Sequence, residues 1–210
     1  MDISRQRNMP PERGPRARTR RLMLETATRL MQSGVTPSVS EVAEAAEVSR
    51  ATAYRYFPSQ AALVHAVVDE ALGPILTWEA GDADTGRRVR DLIRTAMPRI
   101  DEFEATFKAA LKLSLDQWAQ RQAGISNGEP EFTRGHRIGL LQDAIAPLEG
   151  KLTRGERDRL AQALSLVFGV EVLIVLKDIW GLDIAAAQGV TQWAAAALID
   201  AAISEKEKEG

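Results

Sequence analysis

Cysteine is absent from this 210-residue chain, which excludes disulfide staples, thiolate nucleophiles and cysteine-ligated zinc or iron-sulfur sites. Histidine is scarce. His65 and His136 are the only two, and their separation in sequence leaves a histidine metal site or a nucleophile-histidine-acid triad little to be built from. Neither a metal nor a cofactor is expected. Alternating apolar residues bounded by turns are missing too, so no strands are expected. The longest apolar run, Leu164 to Leu176, is interrupted by Glu171 and falls short of the roughly 20 residues that span a bilayer. The N-terminal arginines are not followed by the apolar stretch of a secretion signal. These absences lead to the expectation of a cytoplasmic protein with no membrane partner.

What is present begins with charge. The net charge of -2 conceals an asymmetry: residues 1–60 hold 10 Arg against 6 Asp or Glu, while the remainder holds 17 basic against 23 acidic residues. Seven arginines lie in residues 1–21, opposed by Asp2 and Glu12 alone. Such a concentration suits a polyphosphate partner. Residues 1–18, rich in Arg and Pro without apolar periodicity, read as a disordered basic arm.

From Thr19 onward the pattern is helical. Met23, Ala27, Leu30 and Met31 recur on one face before the stop at Gly34. Ser38 and Glu41 form an S-x-x-E capping box, and Val39, Val42, Ala43 and Ala46 share the next buried face. Ser49 can cap a third helix ending at Phe57-Pro58, and Ser59 a fourth that stops at Gly73-Pro74. Longer helices follow at about 87–100, 102–121, 136–148, 154–178 and 184–204, giving about nine in all. Thr153 with Glu156 makes a second capping box, and Asp183 can cap the last helix. The segment Ala123 to Gly135 reads as a flexible insert. The expectation is an all-α chain: a helix-turn-helix domain over 19–72, then a larger helical domain over 73–210.

Ser38 to Tyr56 places two short capped helices either side of a brief turn, the arrangement that lays its second helix in the major groove of DNA. That helix opens with Ser49, Arg50, Ala51 and Thr52, small or hydrogen-bonding groups that allow close approach to bases. Tyr54, Arg55 and Tyr56 follow. Ala53 and Phe57, at i and i+4, point inward instead.

The run VSEVAEAAEVSRATAYRYFPSQAAL resembles the DNA-binding signature of the TetR family of bacterial regulators, and the likeness extends over the first four helices. The resemblance implies Arg50 as a base reader, since a guanidinium can bond guanine O6 and N7 together. It implies Thr52 on a thymine methyl or a phosphate, and Tyr54 and Tyr56 on phosphates. Ser38 and Ser40 would meet a phosphate at the positive end of the second helix. Two departures stand out. Ala46 and Glu47 occupy a turn where the family usually has glycine, so a residue bearing a side chain is expected at positive φ there. Gln60 stands where lysine is usual, at a phosphate-contacting position, and Arg16 and Arg18 of the arm could compensate along the minor groove or backbone.

The C-terminal part speaks more softly. Trp78, Phe103, Phe107, Leu111, Trp118, Leu141, Ile145 and Phe168 are large apolar groups able to fill a core or line a cavity, and the resemblance implies a small-molecule effector among these helices. Leu164 to Ile179 and Trp193 to Leu198 are similar to the two helices through which the family dimerises. Val167, Val170, Leu173, Ile174, Trp193, Ala196 and Ala197 are the expected contacts, with Gly169 among the small residues permitting close approach. His65 is expected to pack among apolar neighbours and His136 to be solvent-exposed.

The implied function is that of a homodimeric repressor on an inverted-repeat operator, released by an effector. The alternative is a small helical enzyme or adaptor using the C-terminal cavity. Asp116, Glu171 and Asp178 are its candidate acids, but no partner base, nucleophile or metal set accompanies them, so no catalytic residue is expected.

Overall fold

The computed structural model describes residues 14–209 except 126, 127 and 129, with side chains to 206. Ten α-helices make up the described chain, with one isolated bridge between Glu149 and Leu152 and no strand among the described residues.

The head comprises α1 (Pro15–Gln32), α2 (Val39–Ala45), α3 (Arg50–Tyr56) and α4 (Gln60–Leu72). Their apolar faces meet in a common core that includes Met23, Ala27, Met31, Val39, Val42, Ala53, Phe57, Leu63 and Val67, all buried. Most of the expected starts form as read. Ser38 closes a full capping box with Glu41, and Ser49 and Ser59 accept from the backbone amides of Thr52 and Ala62. The first helix begins earlier than expected. Pro15 occupies its first turn, where a missing amide proton costs nothing, and Thr19 Oγ1 donates to the Pro15 carbonyl. The basic arm therefore cannot extend to residue 18: Pro15 to Arg18 are helical, and residues 1–13 lie outside the described residues.

A 3-10 turn, Gly73–Thr77, leads to α5 (Thr85–Glu102) and α6 (Glu104–Gln122). α7 (His136–Ala144) and a short 3-10 turn (Ala146–Leu148) precede α8 (Arg154–Ser165), capped by the Thr153–Glu156 box. The single helix expected over 154–178 is broken. α8 ends at Ser165, and α9 (Val170–Leu173) runs on as a wider π-helical stretch, Ile174–Ile179, with 45° between the two axes. Gly169 is the cause. Its φ of 114° is a conformation that side-chain-bearing residues avoid, and the Arg137 guanidinium sits 2.8 Å from where a Cβ would project. The glycine thus breaks a helix and admits an arginine, rather than admitting another helix.

α10 (Ile184–Glu209) starts with Ala186 donating to Asp183 and packs its Ala187, Thr191, Ala195 and Ile199 face mainly on α5. The head joins the body through α1 and α4 against α6, and α4 against α5. Arg99 of α5 reinforces that junction, its Nε donating to the Ala71 carbonyl at 2.7 Å while its guanidinium stacks 4.1 Å from the Phe103 ring centroid. The segment expected to be a flexible insert is tied down where it is described. Phe132 is buried, its amide donates to Gln117 Oε1 at 2.8 Å, and Gln117 Nε2 returns a bond to the Pro130 carbonyl.

Candidate nucleic-acid interface

The turn between α2 and α3 fixes how the recognition surface is presented. Val48 donates to the Ala43 carbonyl at 2.9 Å and Glu47 to the Glu44 carbonyl at 3.1 Å. This pair of bonds closes a helix end on a left-handed residue. That residue is Glu47, at φ 54°, the one non-glycine at positive φ among the described residues. The expectation of a side chain at positive φ is met at this position.

On α3 the inward set is Ala53, followed by Phe57 at the helix end, and the outward set is Arg50, Ala51, Tyr54 and Arg55, all exposed. Ser49 Oγ donates to Thr52 Oγ1 at 2.9 Å while accepting from the Thr52 amide. Thr52 therefore keeps its own hydroxyl proton for an external acceptor. Tyr54 OH and Ser40 Oγ lie 3.3 Å apart and share a hydrogen bond, linking the start of α2 to the face of α3. Tyr56 is half-buried against the core, with the Arg55 guanidinium 5.6 Å from its ring centroid. On the other side, Arg20 of α1 lies 5.6 Å over the Phe57 ring. Arg16 and Arg18, exposed, project from the first turns of α1 rather than from a loose arm.

Two expected contacts have other work. Gln60 Nε2 donates to the carbonyls of both Thr36 and Pro37 at 3.1 Å, so its amide ties the start of α4 to the link before α2 and is spent there. Ser38 also has its amide engaged, by Glu41 Oε2 at 2.7 Å. The bond from the Ser38 backbone, followed by that from its side chain, holds the Glu41 carboxyl below its ordinary value and keeps the box charged.

In the body, none of three clefts among the described residues is lined by more than one of the eight expected ligand-contacting residues. Phe107, Leu141, Ile145 and Phe168 are buried in the core, Phe103 and Leu111 are partly buried, and Trp118 is 54% exposed. Of the set, Trp78 alone lines any of three described clefts, one of about 620 Å³ between the start of α5 and α10. Bulky periodic residues signal burial, and burial alone does not make a cavity, because protein interiors are close-packed. Arg87, Arg88, Arg90 and Arg94, none of them among the expected site residues, also line that cleft, and their signal in the sequence is the arginine-dense start of α5.

The expected dimer contacts also divide. Val170 and Leu173 belong to the core and have no surface to offer, and Val167, Ile174 and Ala196 are partly buried. Trp193 is 74% exposed, Ala197 is exposed, and beside them the structure exposes Val175, Val190, Ile179 and Trp180, the last two each 72%. Ile179 ends the Leu164 to Ile179 segment that resembles a dimerisation helix, and Trp180 follows it just before the Gly181 stop.

The candidate catalytic acids are all taken up by cations. Lys112 binds Asp116, Lys108 binds Asp178, and Arg134 and Arg137 both bind Glu171. Burial works against the charge on Glu171, but the arginine hydrogen bonds outweigh it and hold its carboxyl below the ordinary value. His65 packs on Phe132, ring centroids 4.5 Å apart. His136 is not solvent-exposed as expected: it is half-buried, with Nε2 2.8 Å from Asp69 Oδ1, at ion-pair distance but out of line for a hydrogen bond.

Known proteins place this geometry. Residues 23–67, spanning α2 and α3 entirely, match the family described as bacterial regulatory proteins, tetR family. The HTH-type transcriptional repressor LfrR of Mycolicibacterium smegmatis is 31% identical over 101 residues, a match that spans 48% of this chain and 44% of the relative. A TetR transcriptional regulator from Rhodococcus sp. RHA1 superposes with a TM-score of 0.57 at 19% identity, over 86% of this chain and 96% of that one. A Mesorhizobium loti MAFF303099 protein assigned to the TetR family gives 0.58 at 15% identity, over 90% and 98%. These two likenesses concern the fold. The head thus carries a stretch matching the tetR family of bacterial regulatory proteins, and the fold over most of the chain is similar to that of two TetR-type regulators.

Proposed function

We propose that this chain is a homodimeric transcriptional repressor that binds an inverted-repeat operator in duplex DNA and is released by a small-molecule effector. The observation that carries the DNA reading is the outer face of α3. Arg50, Ala51, Tyr54 and Arg55 are exposed there, and the Ser49–Thr52 bond leaves a hydroxyl proton available. Arg50 reads a base; Thr52, Tyr54 and Ser40 hold phosphates, a division of labour that separates specificity from register. Arg16 and Arg18 add charge that attracts the duplex without reading it.

Support for the dimer comes from the exposed apolar face of Val175, Ile179, Trp180, Val190, Trp193 and Ala197. Isolated surface hydrophobes need no explanation, but two tryptophans and an isoleucine exposed near a helix junction mark an association surface. Two-fold pairing would set the recognition helices about 34 to 36 Å apart, one turn of the duplex. A cytoplasmic location follows from the DNA partner. Among the described residues no single helix is long and apolar enough to cross a membrane.

Selection from a pool of random duplexes tests this directly. The expected product is an inverted repeat with half-sites one helical turn apart, bound with an affinity that falls steeply with salt as phosphate contacts release counterions. Recovery of no sequence preference, with a monomer in sedimentation, would overturn the proposal.

A further inference from the structure

The cleft between the start of α5 and the flank of α10, about 620 Å³, has the volume of a small-molecule site. One part of its wall is the Trp78 indole, whose Nε1 donates to Asp91 Oδ2 at 2.9 Å and so fixes the ring's orientation. Asp91 is held below its ordinary value by hydrogen bonds from Arg94 and then Trp78, and stays charged to accept. Around the indole stand four arginines against two aspartates, Asp82 and Asp91, an excess of positive charge.

Three of those guanidinium groups are already engaged. Arg88 donates to the Asp82 and Asp143 carbonyls at 3.2 and 2.7 Å, Arg87 pairs with Asp82 at 3.0 Å, and Arg94 pairs with Asp91. Arg90 differs: it is exposed, without an ion pair or side-chain hydrogen bond among the described residues. It lines both this cleft and an adjoining one of about 330 Å³. The site thus offers an oriented aromatic wall and one uncommitted guanidinium.

We infer that this cleft binds a small aromatic anion, its ring against Trp78 and its carboxylate, or an equivalent group, on Arg90. A guanidinium fork matches a carboxylate with two parallel bonds, and an aromatic ring finds its best partner in offset or edge-on contact with the indole. Gln188 and Gln192 of α10, lining the same cleft, supply neutral hydrogen bonds for further polar groups. The location gives occupancy a mechanical consequence. The cleft is walled by α5 and by the link that follows α4, and α5 also holds the Ala71 carbonyl of α4 through Arg99. The effect on DNA rests on the regulator reading above; the binding itself does not.

Calorimetric titration of the full chain with 1-naphthoate, in the absence of DNA, separates the two. Saturable binding is expected, weakened about tenfold by Arg90→Ala, the scale of a charge-assisted hydrogen bond. Arg154→Ala, removing an exposed arginine at the start of α8, should leave it unchanged, and 1-naphthalenemethanol should bind more weakly than the acid. Equal affinity for the Arg90→Ala and unaltered chains, equal affinity for the alcohol, or no heat up to about 10 mM ligand would overturn the site. None of those results touches the regulator reading, whereas naphthoate binding in a protein that selects no duplex would overturn that reading and leave the site standing.

Discussion

Glycine in place of Glu47 should make this protein more stable. Glu47 ends α2 at φ 54°, donating to the Glu44 carbonyl while Val48 donates to that of Ala43. A residue with a Cβ is disfavoured in this left-handed region by about 1–2 kcal/mol. Glycine escapes that penalty but loses more chain entropy on folding, about 0.5–1 kcal/mol. Glu47 is exposed and makes no ion pair among the described residues, so no favourable contact enters the balance. The net gain for Glu47→Gly is about 0.5–1 kcal/mol, a rise of about 2–4 °C per kcal/mol in a chain of this size. Calorimetric melting of Glu47→Gly and Glu47→Ala together is the assay. Alanine keeps the Cβ and should give no comparable rise. If alanine stabilises as much as glycine, the backbone account of this turn is wrong and loss of the glutamate charge is the cause. Affinity for a selected duplex should change little, because both residues leave the two turn bonds in place.

Gly169→Ala should act in the opposite direction. A φ of 114° and an Arg137 guanidinium 2.8 Å from the added carbon predict a loss of about 1–3 kcal/mol, read as a lowered Tm; an unchanged Tm would mean that the break between α8 and α9 is soft. Burial pushes the His65 imidazole below its ordinary 6.5, Asp69 opposing and His136 adding to the shift. The unfolded chain then binds the proton first as pH falls, so stability present above pH 6.5 declines through the window beneath it. His65→Phe should flatten that decline in urea melts taken across the range, and an unaltered slope would remove His65 as its source.

The parts that were legible in the sequence are those set by neighbours a few residues apart. Ser38 with Glu41 and Thr153 with Glu156 formed as capping boxes, Asp183 capped α10, and the left-handed turn fell at Glu47, because caps and turns are decided within about one helical turn. Charge and spacing on α3 likewise put Arg50 and Tyr54 outside and Ala53 inside. The failures involve distant partners. Nothing near Gly169 announces that Arg137, folded back from α7, occupies its empty side. Gln60 was read from its position at a helix start, whereas its partners are the carbonyls of Thr36 and Pro37. The large apolar residues of the body could fill a core or line a cavity, because periodicity identifies only which residues are turned inward; whether they enclose space or fill it depends on how several helices pack at once.

Whether the outer face of α3 reads DNA sequence through Arg50 is decided by competitive gel-shift titration of Arg50→Ala. On the selected duplex the variant should lose about 1–3 kcal/mol and relax its preference at one base pair, with a much smaller loss on random DNA. An equal loss on both duplexes would place Arg50 on the phosphate backbone instead, and no loss on either would mean that this face of α3 does not meet DNA.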